Sequence, residues 1–185
     1  GAIPGPHPLA GLALASDGAL YGTTQNGGSS NFGTVFRLDG GGTFTSLHSF
    51  HGTDGVYPEV ALALGSDGAL YGTTEFGGPS FSRDTGGSGD GTVFKIDIAG
   101  TFTFLHSFSF ADGSQPRVPL VMGPDGALYG HTPYGGSSGV GTIFRIDSAG
   151  TFTSVHSFTG TDGREPQSPL VLGSDGALCG AAGGG

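Results

Sequence analysis

Tryptophan is absent from these 185 residues, and cysteine and methionine occur once each. A lone cysteine, Cys179, excludes an intrachain disulfide and any metal site built from cysteines. Lysine and arginine total 6 against 15 acidic residues, a formal charge of −9. So few cations argue against nucleic acid or an anionic membrane as partner, since either needs a basic stripe. No apolar run reaches the roughly 18 residues of a membrane-crossing helix. No segment of useful length has a 3.6-residue apolar period, so helix is expected to be nearly absent. Asn26 and Asn31 both lack the sequon that follows an N-glycan acceptor, so any glycan is expected on Ser or Thr. The chain starts at Gly1 with no signal-like stretch, as a processed chain or a fragment would.

What the chain has in excess is glycine, 40 residues, together with 14 phenylalanines. The glycines have no period of three, which excludes collagen, and they sit between ordered apolar blocks. They point to many tight turns. The phrase "SDGALYGTT" stands at 16–24 and again at 66–74, followed by "PDGALYGHT" at 124–132 and "SDGALCGAA" at 174–182. Its Asp residues, Asp17, Asp67, Asp125 and Asp175, are spaced 50, 58 and 50 apart. Three more phrases recur in step: "GTVF" or "GTIF" at 33, 91 and 141; "FTSLHSF" and its variants at 44, 102 and 152; and Asp-Gly leading to Pro58, Pro116 and Pro166. The extra residues of the second unit fall in "PSFSRDTGGSGDG" at 79–91, as expected of a flexible loop insertion.

Each unit holds four strand-like runs: a short aliphatic run, "ALYGTT", "GTVFRLD" and "TFTSLHSF". The Ser/Pro-Asp-Gly between the first two is a hairpin signal. Gly18, Gly68, Gly126 and Gly176 are therefore expected at positive φ. Alternation in the fourth run places Phe44, Ser46, His48 and Phe50 on one face. Four antiparallel strands per unit of about 50 residues is the size of a propeller blade. The expected fold is all-β, tandem four-stranded antiparallel sheets arranged like a β-propeller, three and a half blades in this chain. The whole of 1–185 reads as one repeat domain, with units 9–58, 59–116, 117–166 and a partial unit 167–185. Three and a half blades do not close a ring of the usual roughly 4–8. Leu12 and Leu14 at one end, and Leu170, Leu172 and Leu178 at the other, are expected to be wet in an isolated chain.

On "SDGALYGTT", "GTVFKID" at 91–97 and "LHSFSFADG" at 105–113, the sequence resembles the choice-of-anchor tandem repeat family called GloVer. That resemblance implies long bacterial surface or secreted proteins with many tandem units and varied C-terminal anchors. It implies a propeller-like arrangement and brings no catalytic residue or ligand. Cys179 in place of tyrosine, His131 in place of threonine and the lack of an anchor region depart from the pattern.

His48, His106 and His156 occupy equivalent positions in separate units, which suggests a metal. Equivalent residues on separate blades do not converge, however, so each is read as structural, packed with Phe and bonded to the Asp six residues on. The four Asp-Gly pairs are read as turns and not cation loops. "GGSGDG" at 86–91 approximates a Ca²⁺ nonapeptide with its Asp misplaced. Cys179 fills a tyrosine slot and reads as a small apolar substitute. The non-repeated polar residues His7, His51, Glu59, Glu75, Arg83, Asp84, Arg117, His131, Arg164 and Glu165 form no catalytic pattern, so no enzyme activity and no cofactor are expected. Carbohydrate or partner binding would use the variable rim loops, with Asn26, Tyr57, Phe76, Phe81, Arg83 and Tyr134. The leading expectation is a structural module, outside a bacterial cell, that associates with itself as a ring or a fibre.

Overall fold

The computed structural model describes residues 10–84 and 86–184. Its regular structure is all strand, in three four-stranded antiparallel sheets and one two-stranded sheet. The first sheet runs β1 (Ala13–Leu14), β2 (Leu20–Thr24), β3 (Thr34–Leu38) and β4 (Phe44–Ser49), neighbours in sequence and in space. The second repeats this meander with β5 (Ala63–Leu64), β6 (Leu70–Thr74), β7 (Thr92–Ile96) and β8 (Phe102–Ser107). The third has β9 (Val121–Met122), β10 (Leu128–Thr132), β11 (Thr142–Ile146) and β12 (Phe152–Ser157). The fourth has only β13 (Val171–Leu172) and β14 (Leu178–Cys179). First strands β5, β9 and β13 adjoin one another, which places them at the inner edge of a propeller-like fan.

Among the described residues two apolar cores form, each between neighbouring sheets. Between sheets one and two, Tyr21, Val35 and Phe50 meet Leu62, Leu70, Phe94 and Ile96. Between sheets two and three, Tyr71, Val93 and Phe108 meet Leu120, Leu128, Phe144 and Ile146. Each sheet thus has a forward face, toward the next sheet, and a back face carrying its Leu, Phe and Ile. Where a neighbour is missing the faces are wet. Leu12 is 50% exposed, whereas Leu62 and Leu120 at the equivalent position are each 6% exposed. Leu14 is different: it is 64% exposed, but Leu64 and Leu172 at its position are both 41% exposed. Its exposure belongs to the inner strand and not to the open end. Leu170, expected to be wet, is buried because it faces the third sheet and packs over Gly180; Leu178 is half-buried for the same reason.

The alternation expected in the fourth run breaks. Pairing of β3 with β4 slips between Val35 and Phe36, so that Phe36 opposes Ser46 while Val35 opposes His48. The slip recurs in both other full sheets. A bulge at Leu47 therefore turns His48 and Phe50 to the forward face and leaves Phe44 on the back face. Period-2 reading carries no signal for an extra residue.

Two kinds of glycine are needed for different reasons. Gly68, with φ of 78°, sits in the inner hairpin, and a Cβ there would meet nothing within 4 Å. Its requirement is conformational. Gly72 lies mid-strand, where a Cβ would come within 2.5 Å of Phe94 and 2.8 Å of Leu62. Its requirement is space. Gly68→Ala is expected to cost about 1 kcal/mol and Gly68→Asn less, because Asn tolerates positive φ. Gly72→Val is expected to cost about 2–3 kcal/mol through overpacking. Urea midpoints of the variants check both values, and an unshifted Gly72→Val midpoint contradicts the packing described.

Candidate functional site: the joint between sheets and the rim

At each joint a histidine on the forward face stacks on a phenylalanine of the next sheet. His48 lies 3.7 Å from Phe102, ring centre to ring centre and nearly parallel, and His106 lies 3.7 Å from Phe152. Each imidazole Nε2 is bonded to the Asp six residues on: His48 to Asp54 at 2.9 Å, His106 to Asp112 at 3.0 Å, His156 to Asp162 at 2.9 Å. Burial would raise Asp54, but the bonds from His48 and the His51 amide outweigh it and hold the carboxyl below its ordinary value. Asp162 is lowered to about 2, mainly by bonds from the Thr159 amide and hydroxyl. Burial pushes His106 down despite the opposing charge of Asp112. These pairs look like proton-transfer dyads, but at His48 and His106 the ring face is covered by the next sheet. His156 keeps its Asp and its edge contact with Phe158, and among the described residues no ring stacks on its outer face.

The Asp-Gly turns do more than turn the chain. Asp17 accepts from the Ala19 amide, from the Tyr21 hydroxyl at 3.1 Å and from Arg37 at 3.0 Å. Asp67 does the same with Ala69, Tyr71 and Lys95, and Asp125 with Ala127, Tyr129 and Arg145. Turn, second strand and third strand are thereby tied at one carboxylate. Arg37, Lys95 and Arg145 were not singled out from the sequence. The available signal was that the unit with Cys179 in the tyrosine slot also lacks the basic strand. Asp175 retains only the Ala177 amide, and among the described residues no cation reaches it. Gly18, Gly126 and Gly176 have φ of 75°, 75° and 83°.

The rim residues do not gather. The insertion at 79–91 is not a free loop. Phe81 meets Phe32 of the first unit edge to face at 5.2 Å, and Arg83 lies over the same ring at 4.3 Å while bonding the Ser30 carbonyl. Tyr57 meets Phe76 at 6.3 Å. Asn26 bonds Gln25. Tyr134 stands apart, beside a cavity of about 240 Å³ that Arg117, His131 and Gln167 also line. Across the first joint Gln25 bonds Glu59, and across the second Arg117 pairs with Glu75, whose carboxyl burial and Glu59 push up. His131 is buried, with Nε2 2.8 Å from the Ser168 carbonyl and Nδ1 unpartnered, and burial pushes its pKa down. His7 lies outside the described residues. Among the described residues no three His, Cys, Asp or Glu side chains cluster as a metal site, and no helix is long and apolar enough to cross a membrane.

Solved structures of similar shape are propeller-like enzymes. Catalytically inactive virginiamycin B lyase from Staphylococcus aureus, with quinupristin, matches at a TM-score of 0.62 and 19% identity over 97% of this chain and 57% of that one. The PQQ-bound aldose sugar dehydrogenase of Streptomyces coelicolor matches at 0.58 and 19% over 97% and 57%. A gluconolactonase of Xanthomonas campestris matches at 0.53 and 18% over 94% and 62%. This chain spans about half to three-fifths of their length, and at such identity the likeness is one of fold. A search of curated protein sequences finds no match. The Gloeobacter/Verrucomicrobia repeat family model matches residues 2–185. The four phrases that build the sheets and their joints are thus those of a repeat family, and the chain belongs to the Gloeobacter/Verrucomicrobia repeat family.

Proposed function

We propose that this chain is a non-catalytic structural module of a bacterial protein outside the cell, whose sheets associate with further sheets of the same kind as a ring or a fibre. One observation carries the reading: a single joint is made twice inside the chain, its back half stands uncovered on the first sheet, and its forward half on the third sheet is met only by the two strands β13 and β14. On the back face of the first sheet Leu20 and Leu38 are half-buried, whereas Leu70, Ile96, Leu128 and Ile146 are fully buried. On the forward face of the third sheet Ile143 and Phe158 are half-buried, whereas Val35, Val93, Phe50 and Phe108 at their positions are fully buried; Val155 is 52% exposed, whereas Leu47 and Leu105 at its position are half-buried. A face built to be covered is a contact surface. The junction is end against end, so it propagates unless its rotation closes. The His–Asp pairs serve these joints, which supports a non-catalytic reading. An acidic surface poor in lysine, with one unpaired cysteine, suits the extracellular side.

Light scattering after size exclusion at tens of micromolar is expected to give a mass above that of one chain. Phe44→Asp, on the open back face, is expected to return it to a single chain. A folded monomer at that concentration overturns the assembly reading. A second reading, rim recognition of carbohydrate, has the cavity beside Tyr134, Arg117 and Gln167 in its favour. Binding on a glycan array that Tyr134→Ala abolishes would favour it.

A further inference from the structure

The third unit departs from the other two at neighbouring positions on one side of its sheet. Across the first joint Gln25 bonds Glu59, and across the second Glu75 bonds Arg117. After the third sheet the equivalent residues are Pro133 and Gln167, and a proline has no side-chain group to give. Pro133 also lacks the N–H that Glu75 donates to the Tyr57 carbonyl. Two residues earlier, the Thr23 hydroxyl donates to the Val60 carbonyl at 3.3 Å, whereas His131 Nε2 lies 2.8 Å from the equivalent Ser168 carbonyl. A carbonyl only accepts, so Nε2 carries the proton. Imidazole Nε2 stands further from the backbone than a threonine oxygen, so the loop at 166–168 is held out from strand β10.

Where the pair is missing lies the cavity of about 240 Å³, lined by Arg117, His131, Pro133, Tyr134, Pro166 and Gln167. No lining residue belongs to β13 or β14, so the cavity is a property of the third unit and the loop after it. Its polar groups are uncommitted. Among the described residues the Tyr134 hydroxyl and the Gln167 carboxamide have no hydrogen-bond partner. Arg117 engages only Nη2, with Glu75 and with Gln115 at 2.7 Å. Gln167 is exposed and Tyr134 half-buried, so a solute has a way in. These groups give and accept hydrogen bonds within one small space, which suits hydroxyls that do both. The prolines and the phenol ring suit the C–H face of a ring. The volume is below the roughly 300–1,000 Å³ of pockets for drug-sized ligands, so one ring fits and a chain does not. Charge narrows the class further. Glu75 already meets the Arg117 charge, and Glu59 lies beside Glu75. An anionic ligand would face both carboxylates.

We propose that this cavity is a binding site for one neutral sugar ring, held by Arg117, Tyr134 and Gln167 against Pro133 and Pro166. His131 is a positioning residue that acts through the Ser168 carbonyl. A joint that serves packing alone does not require these departures to gather around one cavity. The inference rests on the second reading, rim recognition of carbohydrate, and adds the unit bound, its charge and the side chains that hold it.

The test titrates the isotope-labelled 185-residue chain with the methyl glycosides of glucose, galactose, mannose and glucuronic acid, followed by NMR. At least one neutral glycoside is expected to bind one-to-one with a Kd of about 1 mM. The Gln167 side-chain amide and the backbone amides of Val118 and Tyr134 are expected to move. The glucuronide is expected to bind at least about tenfold more weakly. Gln167→Ala and Tyr134→Ala are each expected to weaken binding at least about fivefold. Pro133→Gln restores the side chain that the first unit has at this place, and is expected to fill the cavity and abolish binding without lowering the melting midpoint. If that variant does not fold, Gln167→Ala decides, because Gln167 is exposed and its side chain makes no bond among the described residues. Binding that survives Gln167→Ala unchanged overturns the site. A glucuronide that binds as well as the neutral glycosides overturns the ligand class. A chain that binds longer glycans on an array but none of the four glycosides overturns this proposal and keeps rim recognition. A chain that binds neither overturns both.

Discussion

A back-face phenylalanine pair set against the forward face of the preceding sheet is the contact on which the rest of this molecule depends. Phe94 and Phe102 stack with centres 5.5 Å apart, and Phe50 meets both at 5.2 and 5.8 Å. The same triangle returns with Phe144, Phe152 and Phe108. Removing such rings from water is the main favourable term for a chain this rich in glycine, whose turns carry a large entropic cost. No sheet holds such a triangle alone. Glycines at 72 and 130 exist to let the ring lie flat on the strand, and the bulge at Leu47 and its equivalents exists to send the histidine forward to the next ring.

Much of this was legible in the sequence because repetition supplies its own comparison. Four copies of Asp-Gly located the hairpins, and the Asp six residues after each histidine stood out as its partner. The bulge was not legible: "TFTSLHSF" alternates well enough to satisfy period two, and only pairing with β3 reveals that Leu47 is extra. Nor was the third bond of each turn carboxylate, because Arg37, Lys95 and Arg145 lie 20 or 28 residues from their Asp and read as surface charges. The packing of the inserted loop was not legible either, because nothing local to "PSFSRDTGGSGDG" marks Phe32 of the first unit as the ring that Phe81 and Arg83 meet.

The enzymes that share this architecture place chemistry on a common scaffold, and fold alone carries none of it across. In this chain the residues that could serve chemistry, paired His and Asp, are set side by side with phenylalanine. A stacked imidazole is a large flat surface with a polar edge, which suits a joint that must be apolar across its middle and bonded at its rim.

The insertion at 79–91 makes the two internal joints unequal. Its Phe81 and Arg83 reach back to Phe32 and Ser30 across the first joint, and among the described residues the second joint has the Arg117–Glu75 pair but no aromatic contact from an inserted loop. Repeat arrays open at their weakest interface, because each unit feels only its neighbours. Local opening therefore separates the third sheet while the first two stay together. In hydrogen-exchange terms the chain is a strapped pair with a detachable third element, and the amides at the second joint lose protection first.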